Sequence, residues 1–193
     1  MKPRLWVVSE LYYPEQTSTG YFLTRIAEGL AGNFEVRVLC GQPTYSEHGA
    51  RARRRERHGG VAIHRLRATH FSKDRLALRA LNLVTLSISA FFHGLFHFRR
   101  GDRVLAVTNP PSMPIAIGLA ARLRGCRTIL LVHDVYPEVL AAAATLRPDS
   151  FAYRALARLF GRTYRSFDRI VVLGRDMREV VARKLGGRDE KLT

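Results

Sequence analysis

The 193-residue sequence is short of cysteine, lysine and acid, and each shortage narrows what the chain can be. Its 2 cysteines, Cys40 and Cys126, stand far apart. They give neither a disulfide framework nor a zinc-ligand spacing, which points to a reducing, cytosolic setting. No G-x-G-x-x-G fingerprint follows the first strand-like run, so a nicotinamide or flavin cofactor is disfavoured. Lys2-Pro3-Arg4 leads straight into that run, without the apolar region of a signal peptide, and no secretory leader is expected. Acidic residues number 16 against 32 Lys and Arg, a net charge of +16. Only Lys2, Lys73, Lys184 and Lys191 of the basic residues are lysines. A GC-rich genome accounts for arginine over lysine but not for the excess of positive charge. Such a surface seeks polyanions: nucleic acid, anionic lipid headgroups or phosphorylated substrates. With 47% hydrophobic and 25% charged residues the chain is a folded one, not a disordered one. Its length suits one domain with a core that needs no staples.

Short apolar runs alternate with longer segments of helical period. Leu5-Trp6-Val7-Val8 reads as the first strand, and residues 19–31 as a helix with Phe22, Leu23, Ile26, Ala27 and Leu30 on one face, stopped by Gly32 and Asn33. Val36, Val38 and Leu39 form a second strand and residues 61–66 a third, followed by a long apolar helix over 74–98. Strands at 104–107, 128–132 and 170–173 alternate with helices, the first of them at 112–123 after Pro110-Pro111. This alternation predicts right-handed crossovers and a doubly wound, mostly parallel Rossmann-like α/β sheet with helices on both faces, one domain over residues 1–193. Ligands of such sheets sit beyond the carboxyl ends of the strands. The loops to search are therefore residues 9–18, 40–60, 108–112, 133–138 and 174–176.

The first loop ends in Thr17-Ser18-Thr19-Gly20 at a helix start, where backbone N–H groups and the positive dipole end suit a phosphate. Plain N-capping by Ser18 or Thr19, with Gly20 allowing close packing, explains the same residues. His133 and Asp134 stand at the carboxyl end of a strand, before a turn bounded by Pro137. His133 could orient or deprotonate a hydroxyl there, and Asp134 could hold its tautomer or bind sugar hydroxyls. Equally, Asp134 could cap the next helix and His133 could be a hydrogen-bonded core residue.

Taken in order, Tyr12-Tyr13-Pro14-Glu15, Thr19-Gly20, Glu28-Gly29-Leu30, the segment 35–39, Thr108-Asn109-Pro110-Pro111, His133-Asp134-Val135-Tyr136-Pro137-Glu138 and the segment 167–173 resemble one family. It is the N-terminal half of the family 4 retaining glycosyltransferases of the GT-B fold, closest to the branch that builds capsule, O-antigen and exopolysaccharide, with its fucosamine-type transferases. The resemblance implies sugar transfer from a nucleotide-diphosphate sugar to a lipid-linked glycan. It places Ser18, Thr19 and Gly20 against the donor's diphosphate and sugar, and His133 and Asp134 at the chemistry. Glu15, Asn109 and Glu138 fall on the acceptor side or support that loop. No cofactor is implied, and no divalent metal: the departing diphosphate is stabilised electrostatically. The family binds its nucleotide through a C-terminal Rossmann domain, which the 193 residues do not include, so activity is expected only with that half or a partner subunit.

Arg51, Arg53, Arg54, Arg55 and Arg57 crowd one predicted loop. It reads as a solvated loop or as a contact with anionic membrane or lipid-linked diphosphate; no aromatics interleave to stack bases, and nucleic acid is not the expected partner. The helix over 74–98 has no Lys, Arg, Asp or Glu after Arg79, close to transmembrane length. A stripe of Arg75, Arg79, Asn82, Thr85, Ser89, His93 and His97 makes it amphipathic. Its first reading is a buried sheet-covering helix, its second a face lying on the membrane, its third a true span. His93 and His97 at i, i+4 lack a third metal ligand. The leading expectation is a cytoplasmic acceptor-binding domain, peripheral on the inner face of the plasma membrane. The alternative is a non-catalytic docking subunit that recruits a separate catalytic chain.

Overall fold

The computed structural model describes residues 2–43, 52–69, 71, 75–187 and 189–193, with Leu76 by its backbone alone. In chain order the elements are β1 (Arg4–Val8), α1 (Ser18–Leu30), β2 (Glu35–Cys40), β3 (Arg55–His58), β4 (Val61–Arg65), α2 (Leu76–His97), β5 (Arg103–Val107), α3 (Ser112–Leu123), β6 (Arg127–Val132), α4 (Glu138–Ala142), α5 (Phe151–Ser166), β7 (Arg169–Val172) and α6 (Arg175–Leu185). They build a seven-stranded sheet in the order β3-β4-β2-β1-β5-β6-β7. Every pairing is parallel except that of β3 with β4. The sheet grows outward from β1 in one direction and from β5 in the other, so their loops part and leave a crevice at the carboxyl ends.

The strands are runs of β-branched and large apolar residues because both faces of a doubly wound sheet are covered. Trp6, Val8, Val104, Ala106, Leu130 and Val132 point to one face, under α2, α3, α5 and α6. Leu5, Val7, Val36, Val38, Leu105 and Val107 point to the other, where Leu23 and Ala27 of α1 meet them. At the amino ends of the strands Asp102 fixes the sheet: its Oδ2 accepts Trp6 Nε1 at 2.8 Å and Arg99 N at 3.0 Å. Asp168 does the same for β6, accepting Thr128 N at 2.7 Å.

The arginine-rich run is not the loop its composition suggests. Arg51 lies outside the described residues, but Arg55–His58 is an edge strand, turned back onto β4 by Gly59 and Gly60 with φ of 53° and 79°. Two successive positive φ values are what a tight two-residue hairpin requires. The strand alternates: Arg55 and Arg57 face one side, Glu56 and His58 the other. His58 stacks on Tyr13 with ring centroids 3.6 Å apart and sits 3.4 Å from Glu28. Arg65, fully buried, gives hydrogens to Arg53 O at 2.7 Å and Tyr13 O at 2.6 Å. Glu56 Oε1 stands 2.6 Å from the same Nη2, off the hydrogen-bond direction, and supplies the countercharge.

The long helix also departs from expectation. Asp74 lies outside the described residues, and α2 runs from Leu76 to His97. Leu86 and Ala90 of α2, and Phe98 just after it, pack on the sheet, so α2 covers the sheet as its first reading has it. Its polar stripe, however, is only partly turned to water: Arg75, Arg79 and His97 are exposed, but the residues between them are half-buried. Asn82 and Thr85 bind Thr69, and Asn82 also binds both backbone groups of Phe71. His93 packs edge-on against Trp6 and His64. The stripe clasps the segment after β4, which leaves a second apolar face turned outward: Leu81, Val84, Ile88, Phe92 and Phe96 are each at least 43% exposed.

Candidate functional site

Three loops meet in the crevice, and the sequence dictates how each is held. After β1, Ser9 is buried and its Oγ accepts Leu11 N at 3.3 Å, turning the chain back toward α1. The cap of α1 is Thr17, not Ser18 or Thr19: its Oγ1 accepts Gly20 N at 3.4 Å. That leaves Ser18 exposed and Thr19 half-buried at the helix mouth. The first turn of a helix presents its N–H groups outward and carries positive partial charge, so this end is suited to an anion. Gly20 is there for room: a Cβ would lie 2.9 Å from both the Cβ and the O of Glu15. Glu15, 3% exposed, packs under the helix start.

The second and third loops are tied by one hydroxyl. Thr108, at the end of β5 and 1% exposed, accepts His133 N at 2.9 Å and Asp134 N at 3.0 Å on its Oγ1. Its own N donates to Leu131 O at 3.3 Å. The end of β6 therefore cannot drift from the end of β5. Asn109, half-buried, follows Thr108 into the cis peptide with Pro110, and Tyr13–Pro14 and Tyr136–Pro137 are cis as well.

This clamp aims His133 across the crevice. Its Nδ1 is 3.5 Å from Thr19 Oγ1, so residues 114 positions apart in the chain meet at the helix mouth. Burial holds the His133 imidazole below its ordinary pKa, and Asp134 offsets that only in part. At neutral pH the ring is neutral, with one nitrogen to give a hydrogen and one to accept. Asp134 stands half-buried beside it, and no side chain caps α4, so Asp134 is not a helix cap. His133, Asp134, Met177 and Val180 line a cleft of about 320 Å³ between the β6 loop and α6.

The predicted residues thus fall into groups. Thr19, Gly20, His133 and Asp134 converge, with Ser18 at the mouth and Asn109 on the adjoining loop. Glu138 lines the same cleft as His133 and Asp134, and its Oε1 pairs with Lys184 Nζ at 2.8 Å, which ties α4 to α6. Arg53, Arg54, Arg55 and Arg57 are exposed around the β3 edge, and Arg51 is outside the described residues. Thr108 stands in the resembling segment 108–111, where sequence alone assigns it no role of its own. Its signal was a buried-type position at the end of an apolar strand occupied by a hydroxyl. His93 and His97 stack with centroids 4.0 Å apart and 4° between planes, which does not point two nitrogens at one ion. Among the described residues no three His, Cys, Asp or Glu are grouped to hold a metal. Near the strand carboxyl ends Leu173 after β7 and Tyr21 and Phe22 near the start of α1 are exposed, and further apolar exposure lies on the outward face of α2 and α3.

Comparison with known proteins agrees with this layout. Residues 19–193 match the family model described as a glycosyl transferase 4-like domain. The chain is 34% identical over 182 residues to the probable glycosyltransferase WbjE of Pseudomonas aeruginosa, covering 94% of this chain and 44% of that protein. It thus spans less than half the length of that relative. In fold it is similar to sucrose-phosphate synthase of Thermosynechococcus elongatus, with a TM-score of 0.67 at 9% identity over 100% of this chain and 47% of that one. Trehalose 6-phosphate synthase of Burkholderia multivorans gives a TM-score of 0.58 at 13% identity, over 97% of this chain and 43% of that one. A sheet ordered about a β1/β5 switch point, a helix mouth facing a neutral histidine and a family match over residues 19–193 lead to one assignment: the chain belongs to the glycosyl transferase 4-like family, as an N-terminal domain of the GT-B glycosyltransferase type.

Proposed function

We propose that this domain forms the acceptor side of a retaining glycosyltransferase, which moves a sugar from a nucleotide diphosphate to a lipid-linked glycan in bacterial surface polysaccharide synthesis. The observation that carries the reading is the approach of Thr19 Oγ1 and His133 Nδ1 at the mouth of α1. Transfer breaks the bond between the sugar's anomeric carbon and the diphosphate oxygen and forms one to an acceptor oxygen, whose proton passes to the departing diphosphate. Negative charge grows on the diphosphate as it leaves. Ser18, Thr19 and the N–H groups around Gly20 meet that charge with the positive end of α1, without a divalent metal. His133 faces the transferred sugar, and its neutral ring gives or accepts a hydrogen at a sugar hydroxyl. Asp134 adds an acceptor beside it; Asn109 borders the acceptor's entry, Glu15 supports the start of α1 from beneath, and Glu138 keeps the loop in place through Lys184.

The nucleotide is held by a second half, with which this domain works. The chain covers 44% of WbjE, which leaves room in that relative for such a half. A nucleotide-sugar donor and a lipid-linked acceptor meet at the cytoplasmic face of the plasma membrane, where a +16 domain is drawn to anionic lipid, with Arg53, Arg54, Arg55 and Arg57 facing outward. Neither nucleic acid nor a redox cofactor has a part in this reading.

The test is transfer of labelled sugar to lipid-linked glycan by the enzyme that contains this domain together with its donor-binding half. His133→Ala is expected to keep its melting temperature and lose turnover. Retained turnover with native-like melting would remove His133 from the reaction.

A further inference from the structure

The outward face of α2 has no use in the site described above. Leu81, Val84, Ile88, Phe92 and Phe96 recur every three or four residues and form one stripe along the helix. Only 22% of the most apolar 18-residue stretch of α2 is buried, and Phe96 is 73% exposed. Beside it α3 presents Leu119 and Leu123, 52% and 60% exposed. Between the two helices runs a furrow of about 320 Å³ floored by Ile88, Phe91, Ile115 and Ala116. A 22-residue helix is about 33 Å long, so this is a continuous surface rather than scattered apolar residues.

The charge around the stripe is of one sign. Helices α2, α3 and α5 contain no Asp or Glu. From Arg75 to His133 the one acidic residue is Asp102, which is buried and holds Trp6 and Arg99. Where α2 and α3 end, Arg99, Arg100, Arg122 and Arg124 are exposed together, and Arg124 Nε binds Phe98 O at 3.0 Å. On one flank Arg55 and Arg57 stand across an open trough from His93 and His97 of α2. On the other, α5 sets Arg154, Arg158 and Arg162 in an exposed row. An apolar strip inside an arginine frame complements one kind of surface, the acyl and headgroup layers of an anionic bilayer.

We infer that the α2–α3 face seats the domain on anionic membrane, with Phe92, Phe96, Leu119 and Leu123 entering the acyl boundary and the framing arginines meeting lipid phosphates. The two helices run side by side in the same direction, since Ser87 meets Ser112 at 2.8 Å and Phe98 meets Arg124. Both therefore begin at the crevice end of the sheet, and Ser112 follows directly on the Asn109 loop. A domain seated this way opens its crevice at the edge of the bilayer. The inference deepens the reading of a lipid-linked acceptor and rests on it only for that approach; lipid binding is read without sugar transfer, so the two fail separately.

The test is co-sedimentation of the chain with vesicles of phosphatidylcholine alone and with 30% phosphatidylglycerol, alongside sedimentation velocity without lipid. Wild type is expected to partition onto the anionic vesicles as a monomer. Phe92→Ser with Phe96→Ser is expected to weaken partitioning more than tenfold with the melting temperature kept, because both rings are already exposed. Arg55→Glu with Arg57→Glu is expected to weaken it less. In a Phe96→Trp variant the new indole is quenched by brominated lipid while Trp6, 3% exposed, is not. Unchanged partitioning of the double serine variant, no binding by wild type, or a dimer that this variant dissolves would each overturn the inference.

Discussion

Replacing Thr108 by Val keeps the volume of a buried side chain and deletes only its oxygen. The hydroxyl accepts two N–H groups, those of His133 and Asp134, at 2.9 and 3.0 Å. Thr108 is 1% exposed, so water has no ready route to take its place. Each buried donor left without a partner costs about 1–3 kcal/mol, which makes about 2–4 kcal/mol the expected loss for the pair when the loop relaxes in part. Against a total stability of about 5–15 kcal/mol, that is a large fraction. Thr108→Ser keeps the oxygen and removes one methyl, and about 1 kcal/mol is expected for it. Urea unfolding of the three proteins, with the slope held common, reads these differences directly. The clamp is refuted if Thr108→Val falls within about 0.5 kcal/mol of wild type, or if the serine variant is as damaged as the valine variant. In the complete enzyme the valine variant is also expected to lose turnover more than acceptor affinity, because the displaced group is the His133 loop.

Other parts of the account yield their own tests. Gly20→Ala sets a Cβ 2.9 Å from Glu15 and 3.2 Å from the capping Thr17 oxygen, so a loss of about 1–3 kcal/mol is expected in the same assay, and an unchanged midpoint would contradict the close approach. Arg65→Met strands Glu56 and two carbonyls; a loss of about 3–5 kcal/mol is expected, and adding Glu56→Gln is expected to recover part of it. Burial holds His64, His93 and His133 below the ordinary imidazole value, His93 down to about 3. The unfolded chain takes up protons near pH 6.5 that the folded one refuses, so stability is full above about pH 6.5 and falls as pH drops toward 3. A urea midpoint that stays flat from pH 7.5 to 5 would refute this.

The sheet was legible because its strands are apolar on both faces and its helices keep their period. The crevice followed from strand order; Thr19, Gly20, His133 and Asp134 lay in its loops, where capping and core packing explained them as well, and the family resemblance singled them out. What escaped has a common cause: polar residues whose partners are distant in sequence. Strand β3 reads as solvated charge because its inward Glu56 is matched by buried Arg65 rather than by an apolar neighbour. The stripe from Asn82 to His93 looks like the wet side of a helix, yet Asn82 and Thr85 are satisfied by Thr69 and Phe71 and His93 packs on Trp6. Glu138 lines the cleft as a free acid would, and only the fold shows Lys184 2.8 Å away as its countercharge. Thr108 is one hydroxyl in an apolar run, and only the fold reveals the two amides that it holds.

The most direct test of the acceptor-side reading is calorimetric titration of this chain with a polyprenyl diphosphate in anionic vesicles and, separately, with nucleotide sugars. The account predicts saturable binding of the lipid diphosphate and no comparable binding of nucleotide sugar. Tight nucleotide-sugar binding by the chain alone, with none of the lipid diphosphate, would contradict it.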